Sequence, residues 1–255
     1  MIDTTVVAVV GEKGGTAKST TAFEVAAGLT GLGSKTLCVD FDPQGSLSEI
    51  SRCDNTDAMN VLNVLHGDCS VQDAVQHGAY FDIITANNSL SEVESFVALG
   101  KDTMRDMLAP LRGSYDYIVI DMSPMPKTRS VVTVVSAADR IVLPILAEPQ
   151  PARSLAKTAR AIAKIDPAAI PRTAVLITRH FPYYNVYRGY GETIARFCQQ
   201  AGIRLFRSFV RNSVSVPEAQ DKGVSLSDYK RFSAVAADYR NVAQELAEWC
   251  KGGDK

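Results

Sequence analysis

The chain has 255 residues, of which 46% are hydrophobic and 22% charged, with a formal net charge of −1. That balance is typical of a globular domain and excludes a low-complexity or strongly polyionic chain. No window approaches the ~18 uninterrupted apolar residues of a membrane-spanning helix, and the opening MIDTTVVAVV lacks the basic stretch of a signal peptide.

Length alone suits one α/β domain over residues 1–255. Short Val- and Ile-rich runs alternate with helical stretches. In chain order, the pattern predicts a strand at residues 6–10, a helix at 19–32, strands at 36–40 and 81–85, and a helix at 101–111. Strands at 117–121 and 140–145 follow, then a helix at 152–165 and a strand at 173–178. A helix at 191–200, a strand at 205–210 and a helix at 232–250 complete the series. Several of the strands are apolar along their whole length, as in a parallel sheet covered on both faces. The alternation predicts a doubly wound, mostly parallel sheet flanked by helices. Ligands of such sheets bind beyond the carboxyl ends of the strands. The five cysteines (Cys38, Cys53, Cys69, Cys198, Cys250) show no paired or metal-site spacing and read as reduced thiols.

Three strand ends carry chemistry. After the first comes Gly11-Glu12-Lys13-Gly14-Gly15-Thr16-Ala17-Lys18-Ser19-Thr20 and then a helix. Glycines between strand and helix let backbone N–H groups turn around an anion, and the helix N-terminus adds partial positive charge. In such a loop Lys18 reaches the outer phosphates of a nucleotide and the Ser19 hydroxyl ligates Mg²⁺. The strict phosphate-loop pattern fails at both glycines, with Glu12 at the first and Ala17 at the second. The second strand ends in Asp40-Phe41-Asp42-Pro43-Gln44-Gly45, two carboxylates facing the crevice, although Asp-Pro followed by Gln-Gly is also good turn chemistry. The strand at 117–121 ends in Asp121 after four apolar or aromatic residues, the shape of a Mg²⁺-holding aspartate.

Lys13-Gly14-Gly15-Thr16-Ala17-Lys18-Ser19-Thr20 resembles the KGGxGK[ST]T signature of the ParA/MinD family of deviant Walker ATPases. The likeness extends over nearly the whole chain and is nearest to the short ParA-type partition proteins that lack an N-terminal helix-turn-helix. The departure is Ala17 in place of glycine, which bears on affinity and turnover. Asp40 to Gln44 looks like that family's DxDPQ element, and Met122-Ser123-Pro124-Met125-Pro126 stands where a second switch would be. The resemblance implies ATP and Mg²⁺ as cofactors and slow hydrolysis to ADP and phosphate. It implies that Gly14 to Thr20 hold the phosphates and that Lys13 reaches the partner's nucleotide in an ATP-bound sandwich homodimer. Asp42 would position the attacking water, with Ser19, Asp40 and Asp121 serving the metal. Arg179, Asn212 and Pro217 would enclose the adenine. A ParB-like or other adaptor would stimulate hydrolysis, and the protein would be cytoplasmic, nucleoid-associated when ATP-bound. Competing readings are a MinD-like regulator, a nucleotide-binding scaffold with weak hydrolysis, and a metabolic P-loop synthetase or kinase. The membrane-bound version needs a basic amphipathic C-terminal helix, which residues 245–255 do not supply, and an iron–sulfur reductase needs cysteines that residues 121–133 lack.

Charge is unevenly distributed. Residues 1–171 hold 14 Lys and Arg against 20 Asp and Glu, whereas residues 172–255 hold 13 against 8. Residues 172–211 contain seven arginines and one acid, Glu192. A solvated helical surface and a polyanion footprint both fit this excess. Under the second reading Arg188, Arg204, Arg207 and Arg211 contact DNA without sequence preference, and the aromatic run at 180–188 adds a surface for nucleic acid or a partner.

Overall fold

The fold is seen in a computed structural model that describes residues 4–11, 13–54, 56–93, 98–122, 129–149 and 151–252. The Val- and Ile-rich runs become strands β1 (Thr5–Val9), β2 (Thr36–Phe41), β4 (Asp82–Ile84), β5 (Tyr117–Met122), β6 (Arg140–Leu146) and β7 (Thr173–Thr178), joined at the edges by β3 (Gln76–His77) and β8 (Arg204–Leu205). They form one sheet in the order β3-β4-β2-β5-β1-β6-β7-β8, parallel throughout except for the antiparallel β3–β4 pair. This is the doubly wound α/β architecture that the sequence predicts.

Alternate side chains of each strand feed two cores. Val6, Ala8, Leu37, Val39, Ile118 and Ile120 face one side, against α4 (Thr103–Leu108), α5 (Arg129–Ala137), α6 (Pro151–Ile165) and α7 (Asn185–Ala201). Val7, Val9, Cys38 and Val119 face the other, against α1 (Lys18–Gly31) and α10 (Ala234–Cys250). Each fully buried Leu or Ile in these layers contributes roughly 1.5–3 kcal/mol. Helices α1 and α10 pack so closely that a Cβ built on Gly28 would stand 2.6 Å from Ala243 Cβ, which explains a glycine in mid-helix. The shorter helices α2 (Ser46–Ile50), α3 (Val61–His66), α8 (Ser215–Lys222) and α9 (Leu226–Tyr229) lie in connections that the sequence pattern leaves as loops. Among the described residues, no helix is long and apolar enough to cross a membrane.

Two boundaries need correcting. The strand expected at 205–210 is only Arg204–Leu205, because beyond it the Arg207 and Ser208 amides donate to the Glu245 carboxylate (2.8 and 2.9 Å) instead of to β7. The helix expected at 191–200 begins six residues earlier, at Asn185, so part of the aromatic run lies in its first turns. The expected second switch, beyond Met122, lies outside the described residues.

Candidate functional site

The carboxyl ends of β1, β2 and β5 meet at one place, because these strands are neighbours: Val9 pairs with Asp121, and Asp121 pairs with Asp40. Between β1 and α1 the loop turns through two left-handed residues, Gly15 (φ 75°) and Ala17 (φ 66°). Ala17 is the N-cap of α1 and makes no side-chain cap, so it does not satisfy the first-turn amides, which carry the helix's partial positive charge. The loop is pinned from β7. Thr178 Oγ1 donates to the Thr16 carbonyl (3.1 Å), and Arg179, itself left-handed at φ 50°, reaches the Gly15 carbonyl (3.4 Å). Thr16 Oγ1 and Lys18 Nζ both donate to the Lys13 carbonyl (3.3 and 3.2 Å). From α8, Gln220 Nε2 bonds Thr20 Oγ1 (2.8 Å). Gly14 has no atom near enough to obstruct its face, and Gly14 and Gly15 are both exposed.

Beneath this loop lies a charged cluster in which burial outweighs pairing. Lys18 is buried, and burial lowers its pKa although Asp121 and Asp42 push it up. Asp121 is fully buried, and burial, then the charge of Asp40, raises its carboxyl well above the usual range. The Ser19 hydroxyl lies near enough to offset part of that rise. Even so, neither Asp121 oxygen completes a hydrogen bond with any of the described residues. A buried carboxylate with both oxygens unpartnered costs several kcal/mol unless a cation answers it. Among the described residues no three acidic, His or Cys side chains are spaced to enclose a metal by themselves. That suits Mg²⁺, which takes one or two protein ligands and completes its shell with water and phosphate oxygens.

Asp40, expected in the metal shell, lies beside Asp121 and is also bound by its own chain. Its Oδ2 accepts from the Ser48 amide (2.9 Å) and the Ser48 hydroxyl (2.7 Å), and its Oδ1 accepts from the Asp42 amide (3.1 Å). Burial still pushes it up to about 6, with those bonds pulling the other way. These bonds make it an anchor of the 41–45 turn. Asp42 is buried, and its Oδ1 accepts from the Gln44 amide (3.0 Å), so the turn chemistry and the placement at the crevice are both real.

Lys13 is exposed and pairs with Glu148 of its own chain at 3.6 Å; with side chains 58% and 47% exposed, the pair holds it only weakly. The loops carrying Arg179 and Asn212 run side by side: the His180 amide donates to the Val210 carbonyl (2.9 Å) and the Asn212 amide to the His180 carbonyl (2.8 Å). Asn212 and Pro217 present exposed side chains.

The arginine excess does not form one free face. Arg211 is committed to Asp238 through two bonds (2.7 and 2.8 Å), which corrects its place among the DNA candidates. Arg204 lies over the Trp249 ring at 5.6 Å. Arg207 is 73% exposed but shared between Glu245 (3.8 Å) and Glu248 (3.5 Å). Arg188 is exposed on α7. The sequence reading missed Asp238 and Glu245. Their seven-residue spacing puts both on the buried face of α10, and carboxylates on an apolar stripe are a signal that cationic or amide partners wait there.

The AAA domain family (AAA_31) matches residues 4–172. The maintenance of carboxysome distribution protein A of Synechococcus elongatus is 31% identical over 247 residues, covering 91% of this chain and 95% of that protein. The chromosome partitioning protein ParA of Caulobacter vibrioides is 29% identical over 255 residues, covering 94% and 93%. Among solved structures, the cobyrinic acid a,c-diamide synthase of Mycobacterium smegmatis, with a bound ATP analogue and magnesium, is similar with a TM-score of 0.85 at 25% identity, covering 99% of this chain and 97% of that one.

Proposed function

Because this chain belongs to the ParA/MinD family of deviant Walker ATPases, we propose that it is a single-domain ATP hydrolase that pairs as an ATP-bound sandwich dimer, binds DNA without sequence preference and positions DNA or another cargo. The observation that carries the reading is Asp121, a buried carboxylate with no hydrogen-bond partner among the described residues, set beside a buried lysine at the foot of an exposed glycine loop. These groups fit a nucleotide triphosphate with Mg²⁺. The loop amides from Gly14 to Thr20 and Lys18 hold the phosphates, while Ser19 and Asp121 hold the metal. When bound, Mg²⁺ supplies charge neutralisation at the phosphates. Asp42 orients the attacking water, and the chain contributes positioning and electrostatics rather than covalent chemistry. Lys13, released from its weak contact with Glu148, adds a cation across the dimer, so pairing depends on the triphosphate. Arg179, Asn212 and Pro217 flank the base.

Hydrolysis then dissolves the dimer, with a ParB-like or other adaptor accelerating it. The names of the Caulobacter and Synechococcus relatives support a partitioning or distributing role. The likeness to the Mycobacterium synthase favours a second reading, ATP-driven synthesis on a small acceptor. Phosphate release and light scattering with ATP and Mg²⁺ separate these. The Asp42→Ala protein should bind nucleotide like wild type, release phosphate at least about tenfold more slowly and accumulate as dimer. Phosphate release that needs an added small-molecule acceptor, with no ATP-dependent dimer, would favour the synthetase instead.

A further inference from the structure

The residue that holds Asp42 in place is two bonds away from it. Asp42 sits in a short turn: its Oδ1 accepts from the Gln44 amide (3.0 Å) and its carbonyl from the Gly45 amide (2.9 Å). The far end of the turn is held by the Glu49 amide, which donates to the Gly45 carbonyl (2.9 Å), and at the Asp42 end the Asp42 amide donates to Asp40 Oδ1 (3.1 Å). The other oxygen of Asp40 accepts twice from Ser48, through its amide (2.9 Å) and its hydroxyl (2.7 Å). The same hydroxyl accepts from the amide of Ala86, just past β4, at 3.0 Å. Ser48 is fully buried, so no water substitutes for these bonds. Its hydroxyl is satisfied as donor and as acceptor, which leaves it a single orientation.

We propose that Ser48 is the positioning residue of the hydrolytic site. Through Asp40 it sets the 41–45 turn, and with it the Asp42 carboxylate, against the fixed end of β4. The inference rests on the assignment of Asp42 above. It gives a reason for Asp40 to be buried next to two other carboxylates, since its oxygens hold the turn.

The substitution that tests this is Ser48→Ala, with Ser48→Thr as the conservative variant that restores a hydroxyl. Ser48→Ala should lower kcat by about tenfold to a hundredfold, the effect of moving a reactive group by a fraction of an ångström to 1 Å. KM and the dissociation constant for a fluorescent ATP analogue should stay within about twofold, because residues 13–20 are untouched. Ser48→Thr should recover most of kcat. A second readout needs no hydrolysis: amide exchange in a peptide spanning residues 40–48 should quicken in Ser48→Ala and return towards wild type in Ser48→Thr. Unchanged kcat and unchanged exchange in Ser48→Ala would overturn the proposal. So would a loss of nucleotide affinity or of folded protein proportional to the loss of rate, which marks a merely structural residue. If wild type itself hydrolyses no ATP, the functional reading fails alone, and the exchange measurement still decides whether Ser48 holds the turn.

Discussion

Replacing Ala17 by glycine should stabilise this protein, the reverse of what the same change does within a helix. Ala17 stands at φ 66°, ψ 35°, left-handed, at the N-cap of α1. For a residue with a Cβ that conformation costs about 1–2 kcal/mol. Glycine removes the strain but gives the unfolded chain more freedom, which costs about 0.4–1 kcal/mol. The difference favours glycine by roughly 0.5–1 kcal/mol, or about 1–4 °C in Tm for a chain of this size. No protein side-chain cap is lost, since Ala17 makes none. Paired urea and thermal denaturations of the two proteins without nucleotide measure the effect. An Ala17→Gly protein that is less stable by half a kilocalorie or more would show that the loop does not hold Ala17 left-handed in solution, because glycine would then bring only its entropic penalty.

Three further outcomes are expected. Glu24 is buried on α1, accepts from the Leu226 amide (3.0 Å), and is pushed by burial from 4.5 up to about 8. A raised carboxyl pKa means the folded state holds its proton longer than the unfolded one, so stability falls as pH rises from about 4.5 to about 8 and is level beyond. Glu24→Gln keeps the acceptor and should flatten that slope, leaving the variant more stable by roughly 2–4 kcal/mol at pH 8.5; parallel denaturation slopes in variant and wild type would refute it. Lys18→Ala should abolish binding of a fluorescent ATP analogue, while Lys13→Ala should bind it as a monomer and fail to dimerise with ATP in light scattering; a Lys13→Ala dimer would remove the sandwich assignment. Binding to random-sequence duplex should require ATP and weaken steeply with salt, by roughly 0.9 log units of affinity per log unit of salt for each phosphate contacted. Arg188→Ala should reduce it more than Arg211→Ala, whose side chain Asp238 already holds, as an anisotropy titration would read.

How much of this was legible in the sequence depends on the range of the interaction. The parallel sheet was, because unbroken apolar runs such as Ile118-Val119-Ile120 need cover on both faces. The meeting of Lys18, Asp42 and Asp121 was legible too, since strand ends followed by Gly-rich or acidic residues converge at the carboxyl edge whatever lies between them. What was lost concerns partners distant in sequence. Asp40 reads only as a residue of the metal shell, and its bonds to Ser48 and the Asp42 amide are not visible in the local pattern. The arginines at 204–211 read as one free cationic face until Glu245, Glu248 and Asp238, roughly 30 to 40 residues on, are folded against them. A local charge count sees neither. The strand expected at 205–210 ended early for the same reason, the Arg207 and Ser208 amides just beyond β8 being diverted to a carboxylate from α10.

Burial and charge at this site couple the two ligands it is proposed to hold. Lys18 is a buried cation whose described neighbours Asp121 and Asp42 are carboxylates, and burial still outweighs them. Asp121 is a buried carboxyl that, among the described residues, Ser19 and Lys18 pull down, and burial outweighs those as well. An anion alone would relieve Lys18 but would stand beside the charges of Asp121 and Asp42. A cation alone would relieve Asp121 but would stand beside Lys18. Only a ligand that brings both signs answers both residues, so nucleotide and metal should each strengthen binding of the other. The turn at 41–45 stands against that same cluster through Asp40. Asp121 pairs with Asp40 in the sheet and Asp40 accepts from the Asp42 amide, so filling the site should alter the protection of the 41–45 amides, which hydrogen exchange with and without nucleotide and Mg²⁺ would read.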